Sequence, residues 1–132
     1  MDREIKFRGK SLRNGEWLYG DLMHDNIGGS YVYPIDAEGL YKNNKVSPDT
    51  VGQYTGLKDK NGVEIYEGDI TKISNFGAAF VWYNTKRCSF ELCVYVSDGG
   101  SIDILKDFNT DLYEVVGNIH DNPELFNKEE KQ

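Results

Sequence analysis

Four carboxylates fall within eleven residues at Asp59, Glu64, Glu67 and Asp69, a density that would suit a divalent cation or a hydrolytic acid–base pair. Their neighbours point elsewhere. Glu64 follows Asn61-Gly62, a strong hairpin-turn signal, and Glu67-Gly68-Asp69 has the composition of a tight turn whose Asp bonds its own backbone. These acids are therefore expected to shape turns. A nuclease-like pattern begins at Pro48-Asp49, but the Glu/Asp-x-Lys that follows it is Glu129-Glu130-Lys131, in the terminal tail. Gly9-Lys10-Ser11 ends like a phosphate-binding loop; Glu4 stands where that motif needs glycine, and no helix is expected after it to supply N-terminal amides.

Cys88 and Cys93 are the two cysteines, and His24 and His120 the two imidazoles. A zinc site would have to recruit all four, whereas Cys93 alternates out of phase with Phe90, Leu92, Val94 and Val96. Two free thiols are the expectation, with no metal and no cofactor. Nucleophilic catalysis needs a base beside the nucleophile, and both histidines fall near the edges of expected strands. No catalytic residue is assigned, and the chain is not expected to be an enzyme. Nine Tyr, six Phe and two Trp make 13% of the chain. Small β-domains use such rings in the core, and some also as platforms for single strands or peptides; the core is the expected main use.

The elements that would position these residues are strands. In 132 residues there are three alanines (Ala37, Ala78, Ala79) and fourteen glycines, a balance that disfavours a helical bundle and suits short strands joined by many turns. Residues 3–8 alternate as a half-buried strand, Asn14-Gly15 turns the chain, and Trp17 to Met23 forms the next. Tyr31, Tyr33 and Ile35 alternate in a third, and residues 36–49 read as a long loop. Val51 to Tyr54 restores strand character, and Val63 to Ile65 follows the Asn-Gly turn. Ile70–Ile73, Ala79–Tyr83, Phe90–Val96, Ile102–Leu105 and Tyr113–Ile119 are five further strands, separated by turn-rich pieces at 75–77, 84–87, 97–101 and 106–109. Asn122-Pro123-Glu124 predicts the start of one short helix, with Asn as N-cap. The fold class is thus all-β: a small antiparallel barrel or sandwich, its C-terminal half SH3-like by analogy of strand spacing. One domain is expected over residues 1–126, with sub-parts 1–66 and 67–126, and a disordered charged tail over 127–132.

The net charge is −7, which disfavours nucleic acid as a partner. It is unevenly spread: residues 1–13 carry +3, with Arg3, Lys6, Arg8 and Lys10 as a candidate basic strand, while residues 91–126 carry −7. A basic strand on one copy facing an acidic surface on another predicts a homo-oligomer. The N-terminus has no apolar signal region, and no stretch approaches the ~18 apolar residues of a membrane helix. A cytoplasmic protein with reduced thiols is expected, with no membrane partner.

Several blocks are more distinctive than any catalytic motif: Arg3 to Lys10, Gly15 to Leu22, Val51-Gly52-Gln53-Tyr54-Thr55-Gly56-Leu57-Lys58-Asp59-Lys60-Asn61-Gly62, Glu64-Ile65-Tyr66-Glu67-Gly68-Asp69-Ile70, Glu114 to Ile119 and Asp121 to Phe126. In this order, over nearly the whole chain, they resemble the YopX family. The resemblance implies a small, mainly β protein encoded by bacteriophages or prophages, with no established activity and no catalytic residues to carry over. Its glycines and apolar members are explained by folding. Its polar members Gln53, Thr55, Lys58, Asp59 and Lys60 form a candidate contact surface. The expected function is a non-catalytic interaction module that self-assembles or binds a host or phage protein. The alternatives are a nucleic-acid-associated accessory protein and an acidic decoy of a host nucleic-acid enzyme.

Overall fold

The computed structural model describes residues 3–34, 44–73, 78–95, 101–104 and 112–127. Within them, antiparallel strands joined by turns dominate, with one short helix near the C-terminus, so the protein is all-β. Residues 36–43 of the expected 36–49 loop, the turns at 75–77, 97–100 and 106–109, the strand ends Ile35, Val96 and Leu105, and residues 128–132 of the tail lie outside the described residues. The chain divides into two compact units, Met1–Tyr54 and Thr55–Gln132.

In the first unit, turn chemistry dictates the pairing. After β1 (Phe7–Lys10), the Gly15 N–H donates to the Ser11 carbonyl at 2.9 Å and Asn14 Oδ1 accepts from the Glu16 N–H at 3.0 Å. The chain thereby reverses into β2 (Trp17–His24). A second turn leads to β3 (Ser30–Tyr33). With β4 (Lys45–Val46) and the first residues of β5 (Gly52–Lys58), these strands lie in the order β4-β3-β2-β1-β5. Val32 and Val46 are fully buried.

β4 differs from the expected 36–49 loop. Two residues show no periodicity, and their partners are remote: Val46 pairs with Ser30 and bridges to Ser11. A single 3-10 turn, Pro48–Thr50, follows. Its Thr50 Oγ1 accepts the Lys10 N–H at 2.9 Å and donates to the Ser47 carbonyl at 2.7 Å, pinning the end of β1.

The second unit begins with the latter half of β5, which hairpins into β6 (Glu64–Tyr66). A five-stranded sheet follows in the order β10-β9-β8-β7-β11. It comprises β7 (Asp69–Ile73), β8 (Ala78–Asn84), β9 (Ser89–Tyr95), β10 (Ser101–Ile104) and β11 (Tyr113–Asn118). Alternation sends Ala79 and Val81 of β8 to one face, where they join Ile65, Leu92 and Tyr113 in a buried cluster flanked by Leu57 and Val115. Each fully buried aliphatic side chain there contributes about 1.5–3 kcal/mol.

The register of β11 against β7 shifts between Val115 and Gly117, leaving Val116 bulged and exposed. The chain then turns on Asn118, whose Oδ1 accepts the His120 and Asp121 N–H groups at 3.0 and 2.9 Å. It enters α1 (Pro123–Asn127), which packs on β8. Asn122 stands at the expected cap position, yet its Oδ1 takes the Asn118 N–H at 3.2 Å, tying the helix start back to β11. Among the described residues no helix is long and apolar enough to cross a membrane.

Candidate functional site

The candidate basic strand can be placed residue by residue. Register sets Arg8 opposite Tyr19 and Lys10 opposite Trp17, and strand periodicity puts Lys6, Arg8, Lys10, Trp17 and Tyr19 on one face. The Arg8 guanidinium lies 4.5 Å from the Trp17 ring centroid and Lys10 Nζ 5.8 Å from it. Lys6 Nζ sits 5.3 Å from the Tyr54 ring and 3.3 Å from Glu4 Oε2. Arg8 is only 5% exposed, whereas Arg3 is exposed. Arg8 and Lys10 of β1 and Lys6 just before it are thus laid over rings on β2 and β5, an arrangement stabilised by about 0.5–2 kcal/mol per pair.

The same face continues onto β3, where Met23 opposes Tyr31 and Asp21 opposes Tyr33. Tyr31 and Tyr33 stack with centroids 6.3 Å apart and planes at 11°. Tyr19 and Met23 are each 45% exposed. The β2–β3 turn is held by Asp25, whose Oδ1 accepts the Ile27 and Gly29 N–H groups at 3.0 and 2.6 Å. Asp25 Oδ2 takes the Tyr31 hydroxyl at 2.8 Å. Donation from Gly29, Tyr31 and Ile27, in that order, holds the Asp25 carboxyl below its ordinary value despite partial desolvation, with Lys45 adding to the effect. The same bond to Asp25 raises the Tyr31 phenol. The result is a fixed aromatic face at whose turn Ile27 stands 86% exposed.

The five residues of the candidate contact surface divide. Gln53 lies in the first unit, on the part of β5 paired with β1. Thr55, Lys58, Asp59 and Lys60 lie in the second, where Lys58 and Lys60 are exposed and Thr55 is half-buried. Asp59 faces inward, 5% exposed. Its Oδ1 accepts the Asn61 and Val63 N–H groups at 2.8 and 2.9 Å, which closes the turn on Gly62 at φ 83°. Its Oδ2 accepts the Val115 N–H at 2.9 Å. Burial works to raise this carboxyl, but the amides of Val115, Val63 and Asn61 and the Lys60 charge outweigh it, and the net shift is downward. Asp59 therefore organises the loop from within and presents no carboxylate to a partner.

The other central carboxylates serve similar ends. Asp69 Oδ2 accepts the Tyr66 N–H at 2.7 Å, the self-bonded turn the composition implied, and Glu64 Oε1 accepts the Tyr66 hydroxyl at 3.1 Å. Of the remaining candidates, His24 is exposed at the end of β2 and His120 half-buried in the turn after β11. Cys88 is an exposed thiol in the β8–β9 turn and Cys93 a buried one on β9. Among the described residues, no three His, Cys, Asp or Glu side chains gather as metal ligands.

One buried acid escaped the sequence reading. Glu91, two residues before Cys93 on β9 and out of phase with its apolar residues, is fully buried. Its Oε1 accepts from Asn84 Nδ2 at 3.1 Å and Arg87 Nη2 at 3.4 Å, and its Oε2 from Arg87 Nε and the Ser89 hydroxyl, each at 2.9 Å. The Arg87 guanidinium, ahead of the cost of desolvation, together with Asn84 and Ser89, pulls its carboxyl down to about 2. Such a group holds the hairpin and has no proton to exchange near neutral pH. The spacing Asn84, Arg87, Ser89, Glu91 around one turn was the available signal.

Comparison with known proteins places these features in a family context. The family profile described as "YopX protein" matches residues 6–127. Among solved structures, the chain is similar to protein EF1440 from Enterococcus faecalis, at 27% identity over 95% of this chain and 99% of that one, with a TM-score of 0.46. No curated protein matches.

Proposed function

The chain belongs to the YopX family over residues 6–127, and from that premise we propose that it is a non-catalytic interaction module of phage or prophage origin. It self-assembles or binds a host or phage protein in the cytoplasm of a bacterial cell. The observation that carries this reading is the outward face of β2, where Tyr19 and Met23 are each 45% exposed beside Trp17, Tyr31 and Tyr33. Aromatic and methionine side chains are enriched where proteins meet. The Tyr31 ring is already fixed by Tyr33 and Asp25, so binding costs it little further ordering.

Charge makes a second copy the first occupant to test, because residues 1–13 carry +3 and residues 91–126 carry −7. The free thiols Cys88 and Cys93 suit a reducing compartment. A nucleic-acid role for the basic strand has less support, since Arg8 is buried and both Arg8 and Lys6 lie over rings.

The test is light scattering of the full chain at low and high salt, with retrieval of partners from host lysate, for the native protein, Tyr19→Arg and Met23→Arg. The native chain is expected to associate with itself or retain one protein, and both variants to lose this with their melting temperatures unchanged. A native chain that stays monomeric and retains nothing overturns the reading. Retention of a basic nucleic-acid enzyme, unaffected by either variant, would favour the decoy instead.

A further inference from the structure

The β8–β9 turn borders an open cleft of about 400 Å³ lined by Trp82, Asn84, Thr85, Lys86 and Arg87, a size within the range of small-molecule sites. It lies wholly in the second unit and plays no part in the β2 face described above. The half-buried Trp82 stands opposite Glu91 across the β8–β9 pair. Its Nε1 is buried and has no hydrogen-bond partner among the described residues. The accessible part of the indole is therefore carbon, which offers a ligand apolar contact and no hydrogen bond.

The Glu91 carboxylate, across the strand pair from Trp82, is offset by Arg87, through Nε at 2.9 Å and Nη2 at 3.4 Å. The Lys86 ammonium is exposed and carries no ion pair among the described residues. Among the described residues around the cleft, one net positive charge thus stands beside the Trp82 indole, with Asn84 and Thr85 in the same lining.

We propose that this cleft binds a nucleotide, its base against the Trp82 indole and its phosphate at Lys86. Every nucleobase has a π-face that an indole accepts, and an ammonium on a flexible stem serves as a point charge for phosphate. A single net charge holds one phosphate and cannot follow a long polyanion, in keeping with the chain's overall −7. The ligand is a free mononucleotide or one unit of a single strand, which share this chemistry.

The two tryptophans, Trp17 and Trp82, give two indole N–H resonances in the 15N-labelled full chain, assigned with Trp17→Phe. Adenosine monophosphate, a short single-stranded oligonucleotide and inorganic phosphate are titrated separately at low salt. The Trp82 indole and the Thr85 to Arg87 amides are expected to shift saturably with one or both nucleotide probes. Saturation by the monophosphate identifies the free nucleotide, and saturation by the oligonucleotide alone identifies the strand unit. Lys86→Glu, on an exposed turn, is expected to weaken binding about tenfold with melting unchanged. Absence of a shift with both nucleotide probes into the millimolar range, equal shifts with phosphate alone, or shifts that Lys86→Glu leaves intact would overturn the proposal. Because the β2 face is assayed by association, failure here leaves the interaction reading standing, and the reverse holds as well.

Discussion

The Asp59 carboxylate accepts the backbone N–H of Val115 at 2.9 Å, across 56 residues of chain. One residue on, the Lys60 N–H donates to the Tyr113 carbonyl at 3.0 Å. Together the side chain of one residue and the backbone of the next offer β11 the acceptor and donor that another strand would supply. Open strand edges invite unwanted pairing, and β11 is the last strand of its sheet. The loop that follows β5 covers part of that edge.

Replacing Asp59 with Asn tests this directly. An amide can retain the Asn61 and Val63 N–H groups on its oxygen, but it then turns an NH2 donor toward the Val115 N–H. The loss is expected to be about 1–3 kcal/mol in urea unfolding, the cost of a buried group left unsatisfied. It should come with faster hydrogen exchange at Val115. Lys60→Ala is the control: its bridge to Glu114 is 3.9 Å long and 47% exposed at both ends, so its removal should cost no more than about 1 kcal/mol.

Acid lability should trace in part to Glu91. Its carboxyl takes a proton near 4.5 when unperturbed and near about 2 in the fold. Between those values the unfolded chain binds more protons, so stability rises with pH there. The contribution is complete above the upper value and lost progressively as pH falls toward the lower. Melting temperature followed from neutral pH downward should drop through this window in the native chain. The Glu91→Gln variant should start lower at neutral pH, show a shallower drop, and meet the native curve at its acid end.

How far such features could be read in advance depends on the distance over which their causes act. The alternation in 17–23, the Asn61-Gly62 turn and the Pro123 helix start are local, and all stand where the sequence puts them. β4 reads as loop because its support is remote: pairing with Ser30, Tyr31 and Ser11 and the Leu12 N–H on the Lys45 carbonyl, none of which lies in a window around Lys45–Val46. Asp59 looked like part of a contact surface because the amide it serves lies on β11. Glu91 alternates with the apolar residues of β9, which leaves its burial unread, and Asn84, Arg87 and Ser89 arriving together satisfy the buried carboxylate. For the basic strand, the charges were legible, but the rings that occupy them were not, since that required the register between β1 and β2.

Gly20 should not tolerate a side chain. Its backbone has φ 157°, and a Cβ there would lie 2.0 Å from the Tyr33 carbonyl oxygen and 2.8 Å from Pro34 Cα, both backbone atoms that move only with the strand. Gly20→Ala is expected to cost about 2 kcal/mol or more by forcing β2 and β3 apart. Gly15→Ala, at φ 75° with nothing within 4 Å of the added carbon, should cost about 1–2 kcal/mol from the left-handed conformation alone. Denaturant midpoints of the two variants compare a clash with a conformational penalty.

The last prediction concerns the pair that defines the first unit's aromatic face. Arg8 and Trp17 meet with the guanidinium 4.5 Å from the ring centroid, and Arg8 is 5% exposed, so the cation sits where water competes poorly for it. Lysine keeps the charge but not the plane that lies along an indole, and its ammonium is costlier to desolvate. Arg8→Lys is therefore expected to destabilise the chain, and a cycle with Trp17→Leu isolates the ring's share. A coupling of about 0.5–2 kcal/mol is expected. A coupling near zero would mean that Arg8 is held by its packing against the sheet, and that β1 is basic for a reason unconnected with the aromatic row on β2.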